Sequence, residues 1–128
     1  MNRYKRVPSH ESKDFGKKYE DEVARIIGKL IKITSRGKVY YKNGRRFCET
    51  DIETKSSAIE VKSGRGNDML SQLNRYSQVT KKEPIGFGKK LRSPNKREIR
   101  KRFKLFEDED SLTDYLVSKG DGKRWRKK

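Results

Sequence analysis

The sequence predicts an α/β domain in which a mixed central sheet, including a β-hairpin, carries flanking helices. Three observations predict it. Phe15, Tyr19, Val23, Ile26, Ile27, Leu30 and Ile31 recur at helical spacing. Asn43-Gly44 joins two runs of strand-forming residues, the strongest short-range hairpin signal. After the hairpin, short strand-like runs alternate with helical patterns, the order that builds a sheet with helices packed on it.

Taken in order, residues 1–12 are polar and basic and are expected to form an arm. Ser12 or Asp14 then caps the first helix. At about 100° per residue, Glu20 falls within its apolar sector, Asp21 points nearly opposite Ile27, and Glu22 lies on the outer flank. Strands are expected over 38–42 and 45–52. In the second, alternation puts Phe47, Glu49 and Asp51 on one face and Cys48, Thr50 and Ile52 on the other. The polar link 53–57 is short, so the strand from Ala58 should run antiparallel to the one before it. Asn67 is expected to cap a helix reaching about Thr80, with Met69, Leu73, Tyr76 and Thr80 along one side. Residues 84–88 read as a strand, and Ser93-Pro94 opens a basic helix through Phe103. Residues 104–107 form a last short strand, and Asp110 or Ser111 caps a helix carrying Leu112, Tyr115, Leu116 and Val117. One domain over 13–119, followed by a basic tail over 120–128, is the expected organisation.

Composition narrows the function. Thirty-five Lys and Arg against 18 Asp and Glu leave a net charge of +17, which a polyanionic or acidic partner would neutralise. Nucleic acid is the leading partner class, and a ribosomal-type or chromatin-type binder without catalysis fits the charge as well. The lone Cys48 excludes an internal disulfide and a thiolate zinc cluster. The lone His10 excludes chemistry built on paired histidines. Phosphodiester chemistry would then use carboxylates, Lys, Tyr and a metal. No apolar run approaches the length of a membrane span and the basic N-terminus precedes no apolar segment, so a soluble chain without an export signal is expected.

The candidate chemistry centres on Ala58-Ile59-Glu60-Val61-Lys62. Ile59 and Val61 point to one face of a strand, Glu60 and Lys62 to the other. Acid-x-Lys spacing occurs four times, at Glu11/Lys13, Glu53/Lys55, Glu60/Lys62 and Asp121/Lys123. Only Glu60/Lys62 alternates with β-branched residues; the other three lie in polar stretches and are expected to be solvated. Asp51, at the end of the preceding strand, can sit beside Glu60. In the competing arrangement, Asp51, Glu60 and Lys62 form cross-strand surface ion pairs of little value. Arg65, Lys89, Lys90, Arg92, Lys96, Arg97, Arg100, Lys101, Arg102 and Lys104 are expected to track phosphates. Trp125 in the tail is a candidate base-stacking residue.

Glu20 on a helix, Asp51 ending a strand, Glu60-Val61-Lys62 on the next strand, then Gln72 and Tyr76, together resemble the PD-(D/E)XK nuclease superfamily. The resemblance covers about residues 14–80. Gly16-Lys17-Lys18-Tyr19-Glu20 is similar to the Gly-x-x-x-Glu opening of several members, and Gln72-x-x-x-Tyr76 to a motif in nuclease modules of bacterial recombination helicases. Thr50 stands where the family name has Pro. The resemblance implies a restriction-endonuclease-like fold and a metal-dependent endonuclease with Glu20, Asp51, Glu60, Lys62 and Gln72 as catalytic residues. Asp51, Glu60 and the Val61 carbonyl, with Glu20 as a further candidate, would hold Mg2+, or else Mn2+ or Zn2+. Lys62 would position or deprotonate water, and Tyr76 would support the site.

Within the superfamily, Asp51-Ile52 and Ile59-Glu60-Val61-Lys62-Ser63-Gly64 look most like the C-terminal nuclease toxin domains of contact-dependent growth inhibition and other polymorphic toxin systems. That likeness implies cleavage of DNA or tRNA in the cytoplasm of a target cell, delivery as part of a larger secreted protein, and an acidic cognate immunity protein as partner. A housekeeping or phage nuclease such as a Holliday-junction resolvase is the alternative from the same fold, and it would be a homodimer. A non-catalytic basic nucleic-acid-binding module is the alternative from another class.

Overall fold

The computed structural model describes residues 9–123, with side-chain surroundings from Phe15 onward. Its elements run in the order α1 (Ser9–Ile27), β1 (Ser35–Lys42), β2 (Arg45–Glu53), β3 (Ser57–Val61), α2 (Met69–Val79), β4 (Glu83–Phe87), α3 (Ser93–Arg100), β5 (Lys104–Phe106) and α4 (Glu109–Ser118). The five strands form one sheet in sequence order. β1, β2 and β3 pair antiparallel, then β3, β4 and β5 pair parallel. Each parallel step needs a crossover, and α2 and α3 supply them. Among the described residues the result is a mixed α/β sheet with four helices.

The helices divide between the two faces of the sheet. Val23, Ala24 and Ile27 of α1 and Leu112 and Leu116 of α4 bury themselves against Ile52, Ile59, Val61, Ile85 and Phe87. Met69, Leu73 and Tyr76 of α2 and Ile99 of α3 pack with Cys48, Ala58 and Leu105 on the opposite side. β3 runs through the middle and all five of its residues are buried. Its alternation holds, with Ile59 and Val61 in the first cluster and Ala58 in the second. Glu60 therefore projects toward α2.

Several boundaries differ from the expectation for local reasons. α1 already includes residues 9–12, so Ser12 and Asp14 lie inside the helix rather than at its cap. It stops at Ile27, and Ile31 instead bridges to Gly122. Residues 121–123 are tied into the fold, because Asp121 is buried and accepts hydrogen bonds from Thr54 Oγ1 (2.7 Å) and Ser56 N (3.1 Å). Glu53 is buried too, accepting from Tyr40 Oη (2.6 Å), Thr50 Oγ1 (2.6 Å) and Lys82 Nζ (2.8 Å). The expected solvation of Glu53 and Asp121 is thus corrected: side-chain and backbone donors of the fold replace water. Asp68, not Asn67, occupies the N-cap of α2, while the Asn67 side-chain oxygen accepts from Asn95 Nδ2 (2.9 Å). Asp108, not Asp110 or Ser111, caps α4 by accepting from Ser111 N (2.7 Å). α3 ends at Arg100, and a turn returns Phe103 to the second core cluster. Trp125 and the rest of 124–128, like residues 1–8, lie outside the described residues.

The hairpin turn is as its sequence demands. Asn43 (φ 53°) and Gly44 (φ 76°) are both left-handed, as a two-residue turn matching strand twist requires. Strict alternation along β2 fails, however. Cys48 joins the α2/α3 cluster whereas Ile52, of the same parity, joins the α1/α4 cluster. The change of face falls between Cys48 and Ile52; the pairing with β1 is irregular nearer the hairpin, where Tyr40↔Cys48 is followed by Tyr41↔Arg46 and Phe47 is the extra residue. Asp51 lies within that change of face and meets the end of β3 through Val61 N.

Candidate active site

The C-terminal end of β3 brings the acid-x-Lys pair together as its alternation predicts. Lys62 Nζ lies 3.1 Å from a Glu60 carboxylate oxygen. Asp51 reaches over from β2 and accepts a hydrogen bond from Val61 N at 2.8 Å. Glu60 is only 4% exposed, which removes the surface-ion-pair arrangement for this residue. Tyr76, fully buried on α2, donates its hydroxyl to Glu60 and also lies 3.1 Å from the Glu49 carbonyl. The spacing of α2 that buries Met69, Leu73 and Tyr76 is thus what fixes the Glu60 carboxylate.

Two neighbouring carboxylates, Glu60 buried and Asp51 half-buried, repel each other's charge. Burial first, then the charge of Glu60, pushes the Asp51 carboxyl up to about 8. Burial also raises Glu60, against the pull of Lys62 and the Tyr76 hydroxyl. Lys62 shows the opposite balance. Burial lowers it, but Glu60 and then Asp68 outweigh burial and hold the ammonium above its ordinary range. The Asp68 carboxylate, 3.2 Å from Lys62 Nζ, serves this pairing in place of capping α2. Burial and the two carboxylates push the Tyr76 hydroxyl far up, so it remains a donor.

Two clefts flank these groups and share Asp51, Glu60 and Lys62 as a common wall. On the α2 side, a cleft of about 380 Å³ is completed by Gln72, Arg75, Arg46, Phe47, Cys48 and Glu49. On the α1 side, one of about 510 Å³ is completed by Gly16, Lys17, Glu20 and Ser63. Glu20 faces the site, as its helical phase predicts, but its carboxylate is held by Arg36 (3.0 Å), which also grips Asp21 (2.6 Å). Gln72 lines the α2-side cleft. Close backbone packing steadies the lysine: Lys62 N donates to the Phe87 carbonyl (2.9 Å), and a β-carbon on Gly88 would come within 2.9 Å of the Lys62 carbonyl.

The donor set suits a hard divalent cation. Asp51 and Glu60 offer two carboxylates whose mutual repulsion a cation would relieve, and one or two carboxylates with phosphate oxygens and waters is the usual magnesium arrangement. Among the described residues, no three His, Cys, Asp or Glu side chains converge as a metal cage. The Glu20 carboxylate, on the wall of the α1-side cleft, accepts a hydrogen bond from Arg36.

Of the expected phosphate-tracking residues, four are neutralised by neighbours. Lys89 pairs with Glu109 (2.9 Å), Lys96 and Arg100 with Glu107 (3.1 and 2.9 Å), and Lys101 with Glu98 (3.0 Å). Arg65, Lys90, Arg92 and Arg97 are exposed. None of these eight lines either cleft of the acid pair. Arg75, Arg46 and Lys17 do, and sequence reasoning missed them. Arg75 had a legible signal, since it falls three residues after Gln72 on the same helix. Arg36 had none, because nothing local connects a residue of β1 to Glu20.

No helix of the described residues is long and apolar enough to cross a membrane. Compared with protein families, curated proteins and solved structures, the chain matches none.

Proposed function

We propose that the protein is a metal-dependent endonuclease of the PD-(D/E)XK kind, acting on DNA or tRNA. The observation that carries this reading is buried Glu60 beside half-buried Asp51, with Lys62 3.1 Å from Glu60, set in an open cleft of a chain with a net charge of +17. Structural ion pairs do not need two mutually repelling acids at a cleft, whereas sites that bind cations and phosphates do.

Asp51 and Glu60, with the Val61 carbonyl, would hold the cation, Mg2+ first and Mn2+ or Zn2+ as alternatives. The chemistry supplied with the cation bound is neutralisation of charge at the scissile phosphate and acidification of water. Lys62, paired with Glu60 and Asp68, would position or deprotonate water and offer its Nζ to the phosphate as negative charge builds there. Tyr76 Oη fixes one oxygen of Glu60, leaving the other toward Lys62 and the cleft. Gln72 lines the path of the substrate, and Glu20 orients groups from the α1 side. The likeness of residues 59–64 to polymorphic toxin nucleases, together with the positive charge, supports a toxin domain restrained by an acidic immunity protein.

The test is digestion of plasmid DNA and, separately, total tRNA with Mg2+, Mn2+, Zn2+ or EDTA, beside Glu60→Ala and Lys62→Ala. Metal-dependent cutting that both substitutions abolish is expected. Tight, salt-sensitive binding without cutting by all three proteins would leave a basic binding module instead.

A further inference from the structure

We propose that the nucleic-acid backbone enters the site along the β1–β2 hairpin, over a cationic track made by Lys42, Arg45, Arg46 and Arg75, and not along the basic segment around α3. This rests on the nuclease reading for its ligand class, a polyphosphate strand, and adds where that strand lies.

Only some of the surface cations are free to meet phosphate. A Lys or Arg held by a carboxylate must give up that partner before it binds an anion, whereas one held over an aromatic face keeps its charge available. On the α3 side Glu107, Glu98 and Glu109 neutralise four cations, while Arg102 and Lys104 lie over Phe103 and Tyr115 (5.7 and 5.6 Å). At the hairpin the aromatic arrangement predominates. Lys42 Nζ stands 4.9 Å from the centre of the Phe47 ring and the Arg75 guanidinium 5.7 Å from it. Lys42 also donates to the Gln78 side-chain oxygen (3.1 Å) and Arg75 weakly to the Phe47 carbonyl (3.4 Å), both neutral acceptors. Among the described residues, Lys42, Arg45 and Arg75 meet no carboxylate; Arg46 pairs with the exposed Glu49.

The surface from the hairpin to the acid pair is continuous. A cleft at the hairpin tip, of about 630 Å³, is lined by Lys42, Asn43, Arg45, Arg46 and Phe47. It shares Arg46 and Phe47 with the cleft that reaches Asp51, Glu60 and Lys62. That cleft in turn shares the acid pair and Lys62 with the one toward Lys17 on α1. Phosphates lying on the hairpin cations are thus led onto the acid pair without leaving the surface, and the otherwise repulsive carboxylates are approached from the positive side.

The experiment compares two triple substitutions of equal charge. One is Lys42→Gln/Arg45→Gln/Arg75→Gln; the other is Lys90→Gln/Arg92→Gln/Arg97→Gln, which removes exposed cations of the α3 side. Binding to a labelled DNA duplex and to labelled tRNA is measured by anisotropy in EDTA across a salt series. A Lys42→Gln/Arg45→Gln double variant, confined to exposed hairpin residues, guards against loss of the Arg75 contact with Phe47. For whichever nucleic acid the wild type binds, the hairpin triple should bind at least about tenfold more weakly, and its salt slope should fall by about 2 to 3. The double variant should show most of that loss, and the α3 triple should stay within about threefold of wild type. Equal weakening by both triples, or greater weakening by the α3 triple, overturns the track while leaving the nuclease reading intact. A wild type that binds neither nucleic acid overturns both. Hairpin-dependent binding with no cleavage under any metal supports the track and removes only the catalytic reading.

Discussion

Replacing Asp51 by asparagine should make the protein more stable, and increasingly so as the pH rises. The carboxyl of Asp51 is pushed by burial, then by Glu60, from an ordinary 3.8 up to about 8. A pKa higher in the folded than in the unfolded chain means that folding takes up a proton between the two values. The stability tied to that proton is fully present below about pH 4 and is lost as the pH rises through about 8. Each pH unit between the two values is worth about 1.4 kcal/mol, so the roughly four units set a ceiling near 6 kcal/mol. Relaxation, entry of water and joint titration with Glu60 reduce this to about 2 to 3 kcal/mol. Asparagine keeps an acceptor for Val61 N and gives Glu60 a donor in place of a like charge. Urea unfolding of the wild type and Asp51→Asn in EDTA, from about pH 4 to about pH 9, measures the difference. The two should coincide near pH 4 and separate by about 2 to 3 kcal/mol near pH 8, with the substituted protein the more stable. Added Mn2+ should stabilise the wild type and leave the variant unmoved. No gain near pH 8, or a gain that grows toward acid, would overturn this account of the acid pair.

Three further predictions concern the supports of the site. Tyr76→Phe removes the buried donor to Glu60 and should cost about 2 kcal/mol in chemical unfolding, with cleavage reduced and nucleic-acid affinity kept. Glu53 reports on the opposite pH dependence: burial alone would raise it, but Lys82, Thr50 and Tyr40 hold its carboxyl low. Its contribution is therefore present above the unfolded pKa and lost as the pH falls, so Glu53→Gln should cost about 2 kcal/mol at neutral pH and progressively less in acid, read by the same unfolding series. Gly88→Ala would set a β-carbon 2.9 Å from Leu91 and from the Lys62 carbonyl. A melting curve should show a loss of about 1 to 3 kcal/mol, and cleavage should fall with it, because the end of β3 must shift.

Whatever short-range periodicity sets was legible in the chain itself. Alternation in β3 put Glu60 and Lys62 on one face, opposite Ile59 and Val61. Helical phase turned Glu20 inward and stacked Met69, Leu73 and Tyr76 on the buried side of α2. Asn43-Gly44 specified a turn that few other dipeptides can make. The remainder was settled by folding, because it depended on partners far apart in the chain. Glu53 and Asp121 share the acid-x-Lys spacing of Glu60, yet they are structural acids, since Lys82, Tyr40, Thr54 and Ser56 arrive from elsewhere to satisfy them. Glu20 is drawn to Arg36, 16 residues away on β1, and no local pattern announces that pairing. The change of face between Cys48 and Ile52, and the extra residue at Phe47, broke the alternation expected of β2. Charge behaves the same way: the sequence counts cations, but only the folded chain shows which of them a glutamate has already neutralised and which an aromatic ring leaves free.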